Sequence, residues 1–176
     1  DGGGIAAVRA TSLLVSGSIF QDCQALGATS QGTGSGGALF ATLSSYVTVT
    51  NSTVTDSNAT ASGGGVAAVF VRQLVVSGLT LHNCASEYGP GGGMYVMNVT
   101  SSAAINDTVV TDCRSVSTFG GGFNIAFSRD IEVRNVTIKN CLAGHAGGLS
   151  AARDESLRLG DVRFENCRSM SDLHFC

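Results

Sequence analysis

The sequence has few charged residues, and several residue types are rare or missing in it. Its 176 residues include no tryptophan, one proline and one lysine, and charged residues make up only 13% of the chain. The formal net charge is −3 and no run of basic residues occurs, so nucleic acid and anionic membrane surfaces are not expected as partners. No stretch approaches the roughly 18 apolar residues that cross a bilayer, so membrane insertion is not expected either.

Motifs for catalysis and for metal binding are also missing. The cysteines form no Cys-x-x-Cys pair, and the three histidines, His82, His145 and His174, are scattered. A phosphate-binding loop needs glycines that lead into a helix with a Lys-Ser/Thr pair, and no such pair follows the glycine runs. The acidic pair at 154–155 is interpreted as a solvated surface turn. We therefore expect no catalytic residues, no metal and no cofactor, and predict that the protein is not an enzyme.

A cluster of glycines returns along the chain at nearly constant spacing. The clusters begin at Gly2, Gly36, Gly63, Gly91, Gly120 and Gly147, which gives spacings of 34, 27, 28, 29 and 27 residues. About twenty-one residues after the start of each cluster the chain has an apolar residue, two further residues, and then Cys or Ser. The apolar residues are Phe20, Val54, Leu81, Val110, Ile138 and Phe164. A fixed period of this size indicates stacked copies of one structural unit.

Each repeat contains short segments in which apolar residues alternate. In the third repeat these segments lie at 66–68, 74–76 and 79–81. Alternation over three to five residues favours strands, and no segment keeps a helical period. The sequence therefore predicts an all-β fold, a right-handed parallel β-helix of about six coils of 27–29 residues with three short strands per coil. We expect residues 1–176 to form a single domain, and expect it to be part of a longer chain because both ends fall inside the repeat.

Equivalent positions in successive repeats form columns with separate roles. The apolar residues just named predict an inward stack. A turn column, which favours residues that tolerate a left-handed backbone, comprises Gly17, Asn51, Gly78, Asp107, Asn135 and Asp161. A polar column, predicted to face inward and to hydrogen-bond along the stack, comprises Asp22, Asp56, Asn83, Asp112, Asn140 and Asn166. The glycine clusters predict a tight corner or a close approach of backbones.

The cysteines occupy one more column. Its members are Cys23, Cys84, Cys113, Cys141 and Cys167, with Ser57 at the second position and Cys176 outside the column. One interpretation is that these are small buried side chains that pack a corner. The other is that adjacent coils are joined by disulfides, since neighbouring strands hold Cα atoms at a suitable separation. Directly stacked side chains point in parallel, which favours the first interpretation.

Short motifs in the repeats resemble a known family. The motifs are Gly-Gly-Ala-Leu at 36–39, Gly-Gly-Gly-Val at 63–66, Gly-Gly-Gly-Met at 91–94, and Phe-x-x-Cys at 20–23 and 164–167. They resemble the repeats of polymorphic outer-membrane proteins, which pair GGA-[ILV] with FxxN on a parallel β-helix of the pectin-lyase-like class. The resemblance implies this fold over nearly the whole chain, although Cys stands here where that family has Asn. Similar cysteine-bearing repeats occur in large extracellular proteins of green algae.

Five Asn-x-Ser/Thr sequons occur in the chain. They lie at Asn51, Asn58, Asn98, Asn106 and Asn135. Because the motif requires an accessible Asn in an exported protein, this number favours an extracellular or cell-surface glycoprotein with N-linked glycans.

The outward positions of the first predicted strand carry no charge in any repeat. They include Phe40, Val69, Tyr95 and Met97. A solvated sheet face usually alternates apolar with polar residues, so this face is predicted to be covered, either by other parts of the same chain or by another subunit.

We therefore hypothesise an extracellular structural or adhesive protein, a rigid rod that makes lateral and end-to-end contacts with the same or other protein subunits in a filament, surface coat or wall layer. The alternative is a carbohydrate-binding or polysaccharide-cleaving module, in which Phe40 and Tyr95 would stack on sugars.

Overall fold

A computed structural model of the protein describes residues 1–27 and 34–170. Every regular element in this range is a β-strand, and the strands of successive coils pair in parallel to form three sheets. Within the same residues no helix is long and apolar enough to cross a membrane.

The three sheets run the length of the solenoid, with strands numbered along the chain. Sheet 1 contains β1 (Ile5–Val8), β5 (Leu39–Thr42), β9 (Val66–Val69), β13 (Met94–Met97), β16 (Phe123–Ala126) and β19 (Leu149–Ala152). Sheet 2 contains β2 (Ser12–Ser16), β3 (Ile19–Gln21), β6 (Tyr46–Thr50), β7 (Thr53–Thr55), β10 (Gln73–Ser77), β11 (Thr80–His82), β14 (Ser102–Thr111), β17 (Asp130–Lys139) and β20 (Leu157–Glu165). Sheet 3 contains β4 (Gln24–Ala25), β8 (Asn58–Ala59), β12 (Ala85–Ser86), β15 (Arg114–Phe119), β18 (Leu142–His145) and β21 (Arg168–Ser169).

The predicted parallel β-helix is confirmed, with two differences in detail. The six strands of sheet 1 are separated by about five full turns, slightly fewer than the six coils that the glycine clusters predicted. Each coil also has a fourth segment, the strand of sheet 3 that follows the cysteine column, where only three strands were predicted. The second and third predicted strands belong to one sheet and become continuous in β14, β17 and β20.

The apolar stack lies inside the coil as predicted. Val54, Leu81, Val110 and Ile138 are at most 1% exposed, because each packs between its equivalents in the coils before and after. Burial of each such side chain stabilises the fold by about 1.5–3 kcal/mol. Phe164, in the last described coil, points the same way but is 47% exposed, since no described coil covers it.

The turn column is confirmed, since all six of its residues have a positive φ, between 46° and 65°. The polar column also has a left-handed backbone, with φ between 50° and 57°, but its predicted inward orientation is wrong. Its side chains lie on the outer surface, where the amide of Asn83 donates to Asp56 at 2.7 Å and that of Asn140 donates to Asp112 at 3.1 Å. The left-handed residue turns the chain outward, so the next residue, the cysteine, points inward.

Both proposed roles of the glycine clusters are present in the structure. In the first five clusters the first glycine has a positive φ, 67° at Gly120, whereas in the last coil Ala146 holds this position with a φ of 52°. The second glycine lies against neighbouring backbone, because a Cβ at Gly121 would stand 2.4 Å from the carbonyl oxygens of Gly147 and Leu142. In these five clusters the first glycine therefore suits the conformation and the second provides space.

Candidate contact face and groove

The five column cysteines within the described residues are free thiols. Each thiol donates to the backbone carbonyl two residues earlier, as Cys113 does to Thr111 at 3.3 Å. Ser57 makes the same bond to Thr55 at 3.0 Å. Burial raises the pKa of the Cys113 thiol well above its ordinary value, which keeps that thiol neutral, whereas a hydrogen bond with Cys113 lowers the pKa of Cys141. The column therefore packs a corner, as the first interpretation predicted; Cys176 lies outside the described residues.

The four predicted contact residues lie together on the outer face of sheet 1. Phe40, Ala67 and Tyr95 follow one another in register, and Val69 and Met97 are neighbours in the adjacent column. The Tyr95 hydroxyl donates to the Met97 sulfur at 2.8 Å. Partial burial raises the pKa of Tyr95 above its ordinary value, which keeps the hydroxyl neutral.

This contact face is uncharged at all of its outward positions in the six strands. These are Ala6, Val8, Phe40, Thr42, Ala67, Val69, Tyr95, Met97, Asn124, Ala126, Ser150 and Ala152. The larger side chains of the face cover part of it. Ala67, between the two aromatic rings, is fully buried, and Phe40, Val69, Tyr95 and Met97 are half-buried. With one strand between them, Phe40 and Tyr95 are separated by about 10 Å.

A column of left-handed residues borders the contact face at the corner that follows sheet 1 and mixes charged, polar and apolar side chains: Arg9, Leu43, Phe70, Asn98, Phe127 and Arg153. Leu43, Phe70 and Phe127 are 52%, 50% and 48% exposed, and the Arg153 guanidinium lies 5.2 Å from the centre of the Phe127 ring. Their φ values of 52° to 54° are unusual for large side chains and cost roughly 1–3 kcal/mol each. The sequence did not predict this corner, because Leu and Phe give no signal for a left-handed backbone.

An open groove of about 460 Å³ runs along the outer face of sheet 3. It is lined by Gln24, Leu26, Asn58, Ala59, Thr60, Ala85, Glu87, Arg114 and Val116. Sequence reasoning missed the groove because it missed the strands beneath it. The available signal was the small residue two positions after each Cys or Ser of the column, such as Ala59 and Ser86, which points inward at the same place in each coil.

The five sequons occupy different surroundings. Asn51 and Asn135 are exposed in the turn column, and Asn58 is exposed on the outer face of sheet 3. Asn98 and Asn106 are half-buried, and within the described residues the Oδ1 atom of Asn106 is buried without a hydrogen-bond partner. Exposure therefore favours Asn51, Asn58 and Asn135 as modified sites.

The histidines remain apart. His82 lies 3.4 Å from the Asp112 carboxylate, and His145 stacks on Phe119 at 5.0 Å between ring centres. His174 falls outside the described residues. In residues 1–27 and 34–170 no group of three or more His, Cys, Asp or Glu side chains is placed to hold a metal ion.

Asp154 lies on a surface turn as interpreted and is half-exposed, but its carboxylate is less solvated than expected. Its Oδ1 atom accepts the backbone N–H of Ser128 at 2.8 Å, while Oδ2 is buried and has no hydrogen-bond partner among the described residues. This burial raises the pKa of the Asp154 carboxyl above its ordinary value. The neighbouring Glu155 is exposed and paired with Arg129 at 3.1 Å, as expected of a surface residue.

The chain belongs to the right-handed β-helix region family, whose model matches residues 1–169. No curated protein and no solved structure gives a significant match to the sequence. The family match agrees with the parallel coils described above.

Proposed function

We propose that this β-helix is an extracellular structural or adhesive module, a rigid rod whose contact face on sheet 1 binds another protein subunit. The subunit is a second copy of this chain or a different protein of the same filament, coat or wall layer. The uncharged contact face with Phe40, Val69, Tyr95 and Met97 supports this proposal most directly.

The outer faces of sheets 1 and 2 differ in charge. The outer face of sheet 2 carries ion pairs, including Lys139 with Glu165 at 3.4 Å and Arg163 with the same carboxylate at 3.9 Å. Such exposed pairs are typical of a solvated surface. The contact face has none across the same coils, and depletion of charge together with enrichment of aromatic residues and Met characterises the centre of protein interfaces.

Two neighbouring apolar residues of the corner enlarge this surface. Phe70 follows Val69 directly in the chain, and Leu43 follows Thr42, so these two side chains continue the contact face around its edge. Exposed apolar side chains grouped beside an uncharged face are typical of interaction sites.

A site-specific photocrosslinker tests the contact face. Placed at Tyr95 in secreted protein and activated in the native extracellular material, the crosslinker should form protein adducts. Placed at Tyr46, an exposed aromatic residue on sheet 2, it should form few or none, because that face is proposed to be solvated. Equal adduct formation at the two positions would reject the contact face.

A substitution gives the second measurement. Tyr95→Glu should reduce assembly at least tenfold, since a charge at an interface centre loses more than about 1.4 kcal/mol. Tyr46→Glu is the matched control, and thermal unfolding followed by circular dichroism should show that both variants keep the β-helix. Unchanged assembly of folded Tyr95→Glu would contradict the proposal.

Carbohydrate binding is the second candidate, and the groove on sheet 3 favours it. Its volume lies within the roughly 300–1,000 Å³ that small-molecule sites occupy. We propose binding without cleavage, because hydrolysis of a glycosidic bond uses two carboxyl groups and Glu87 is the one carboxylate among the described residues that line the groove.

A further inference from the structure

We propose that Asn58 carries an N-linked glycan whose first sugars lie in the groove on sheet 3, held against the protein surface. This rests on the proposed export of the chain. It adds that the surface around one of the five sequons binds the attached glycan, and that the protein's own glycan fills the groove.

The sequon forms part of the groove itself. Asn58 and Thr60 both line the groove, because Ala59 between them points into the core at 3% exposure and leaves its neighbours on the outer face. The Thr60 hydroxyl accepts the backbone N–H of Gly27 at 3.4 Å, whereas the exposed Asn58 amide makes no hydrogen bond to the described residues. A sugar attached to the Asn58 nitrogen would start its path inside the groove.

The register leaves space beside Asn58 on one side. Its partner on the next strand is Ala85, and the partner of Ala85 on the strand after that is Arg114. A methyl group therefore separates Asn58 from Arg114, about 10 Å away along the sheet, while on the opposite side Gln24 is the direct partner of Asn58. The opening is about 460 Å³, and in the coil of Ala85 the larger described side chain that lines it is Glu87, two residues further along the chain.

The lining suits the chemistry of a sugar. A pyranose presents hydroxyl groups around its edge and C–H groups on its faces. The edge can be met by the side chains of Gln24, Glu87 and Arg114, and the faces by Leu26 and Val116. A few placed polar groups among apolar ones are typical of ligand sites.

The other exposed sequons provide an internal comparison. Asn51 and Asn135 stand at outward bends of sheet 2 and do not line the groove. The Asn135 amide also donates to the Asp107 carboxylate at 2.7 Å, a bond along the bend. Glycans at these two sites would project into solvent, so they serve as references within the same molecule.

Glycan release from the folded protein tests the proposal. The protein is secreted from a eukaryotic cell and treated with peptide-N-glycosidase F, and release at each site is followed by mass spectrometry of its peptide. The glycan at Asn58 should be released about tenfold more slowly than those at Asn51 and Asn135, equivalent to about 1.4 kcal/mol of contacts. After denaturation the three rates should be equal. Release from folded protein at one common rate would overturn the proposal, and so would an unmodified Asn58 beside occupied Asn51 and Asn135.

Variants of the groove test the contacts. Arg114→Ala and Val116→Ser, which alter two exposed side chains, should each speed release at Asn58 several-fold without changing release at Asn51. Arg158→Ala, an exposed arginine on sheet 2, is the control and should change neither rate. Unchanged release in both groove variants would overturn the proposal.

The outcomes also separate this proposal from the proposed function. Binding of a free oligosaccharide in the groove, with Asn58 unmodified, would replace it by the carbohydrate-binding alternative. Bare peptides at all five sequons would remove the argument for export as well. Failure of the Tyr95 crosslink would reject the contact face and leave the glycan measurement unaffected.

Discussion

Ser57 and the five column cysteines show how a single residue position is specified in this fold. Cys84 and Ser57 are fully buried at the same corner, and each donates to the carbonyl two residues earlier. The site requires a small side chain that has one donor, and the carbonyl that receives it also accepts a backbone N–H from the preceding coil, as that of His82 does from Asp56 at 3.0 Å. Cysteine and serine both satisfy this requirement, which explains the exchange without a redox or metal-binding role.

Asp154 is the residue for which the surroundings have the clearest consequence for stability. Burial raises its pKa in the folded protein, so the folded state binds the proton more tightly than the unfolded chain does. The protonated Asp154 carboxyl therefore contributes fully to the free energy of unfolding below the ordinary Asp pKa, near pH 3.9. This contribution is lost as the pH rises through the raised pKa of the folded protein. At neutral pH the ionised carboxylate destabilises the fold, because its Oδ2 atom is buried without a partner.

Asp154→Asn should therefore increase the free energy of unfolding at pH 7, and the gain over the unmodified protein should shrink as pH falls towards 4. Urea denaturation of both proteins across this range measures the difference. Asp130→Asn, at an exposed carboxylate at the start of β17, is the control and should show a weaker dependence. If the gain in the free energy of unfolding grew as the pH fell, the raised pKa of Asp154 would be contradicted.

At the scale of the element, the glycine corners decide how closely successive coils approach. The second glycine of the first five clusters, and Gly147 at the equivalent position of the last, faces the backbone of the adjoining strands, so an added methyl group cannot be accommodated by moving a flexible side chain. Gly160 in β20 is different, because a Cβ there would lie 3.4 Å from the side chain of Arg134, an ordinary contact.

Gly121→Ala should accordingly destabilise the protein by about 1–3 kcal/mol or more, the usual cost of overpacking. Gly160→Ala should be neutral or stabilising by about 0.4–1 kcal/mol, because it restricts the unfolded chain at a compatible position. Chemical denaturation of the two variants gives both values. A Gly121→Ala protein as stable as the unmodified one would show that the backbones at this corner are further apart than described.

At the scale of the whole molecule, stability arises from contacts between neighbouring coils. In such a solenoid each coil contacts only the coils before and after it, so the position of a core residue along the axis determines its contribution. Ile138 is fully buried between equivalents in two coils, whereas Phe164 in the last described coil is 47% exposed.

Ile138→Asp should therefore prevent stable folding, since it places an unpaired charge in the inner stack, at a cost above about 4 kcal/mol. Phe164→Asp should cost less because water reaches that position. Ile138→Val is the matched control, with an expected loss of about 0.5–1.5 kcal/mol. Thermal unfolding followed by circular dichroism ranks the three, and a larger loss for Phe164→Asp would contradict the axial order of the stack.

The same rod presents surfaces of different character. The contact face is uncharged, the last coils of sheet 2 carry ion pairs, and sheet 3 has the groove. Each surface follows from one column of the repeat, because parallel stacking places equivalent residues on one face. A solenoid can in this way carry a proposed protein-binding face and a proposed glycan-binding groove on separate sides.

The repeat pattern alone predicted the parallel coil, the inner stack, the turn column and the grouping of Phe40 with Tyr95. These follow from periodicity, because residues at equal offsets must stack once the coils are in register. The orientation of the Asp56 column could not be predicted in this way, since polar residues can ladder either inside or outside. Two-residue strands such as Asn58–Ala59 are too short to show alternation, so sheet 3 and its groove were missed.

The sequence by itself thus determined which residues share a column, because the spacing between glycine clusters fixes the length of each turn. Only the tertiary structure decided which way the corner columns face, how deeply Asp154 is buried, and that Asn58 lies in a groove beside Ala85. Those properties depend on the angle at each left-handed corner and on the side chains of neighbouring coils, which no single repeat contains.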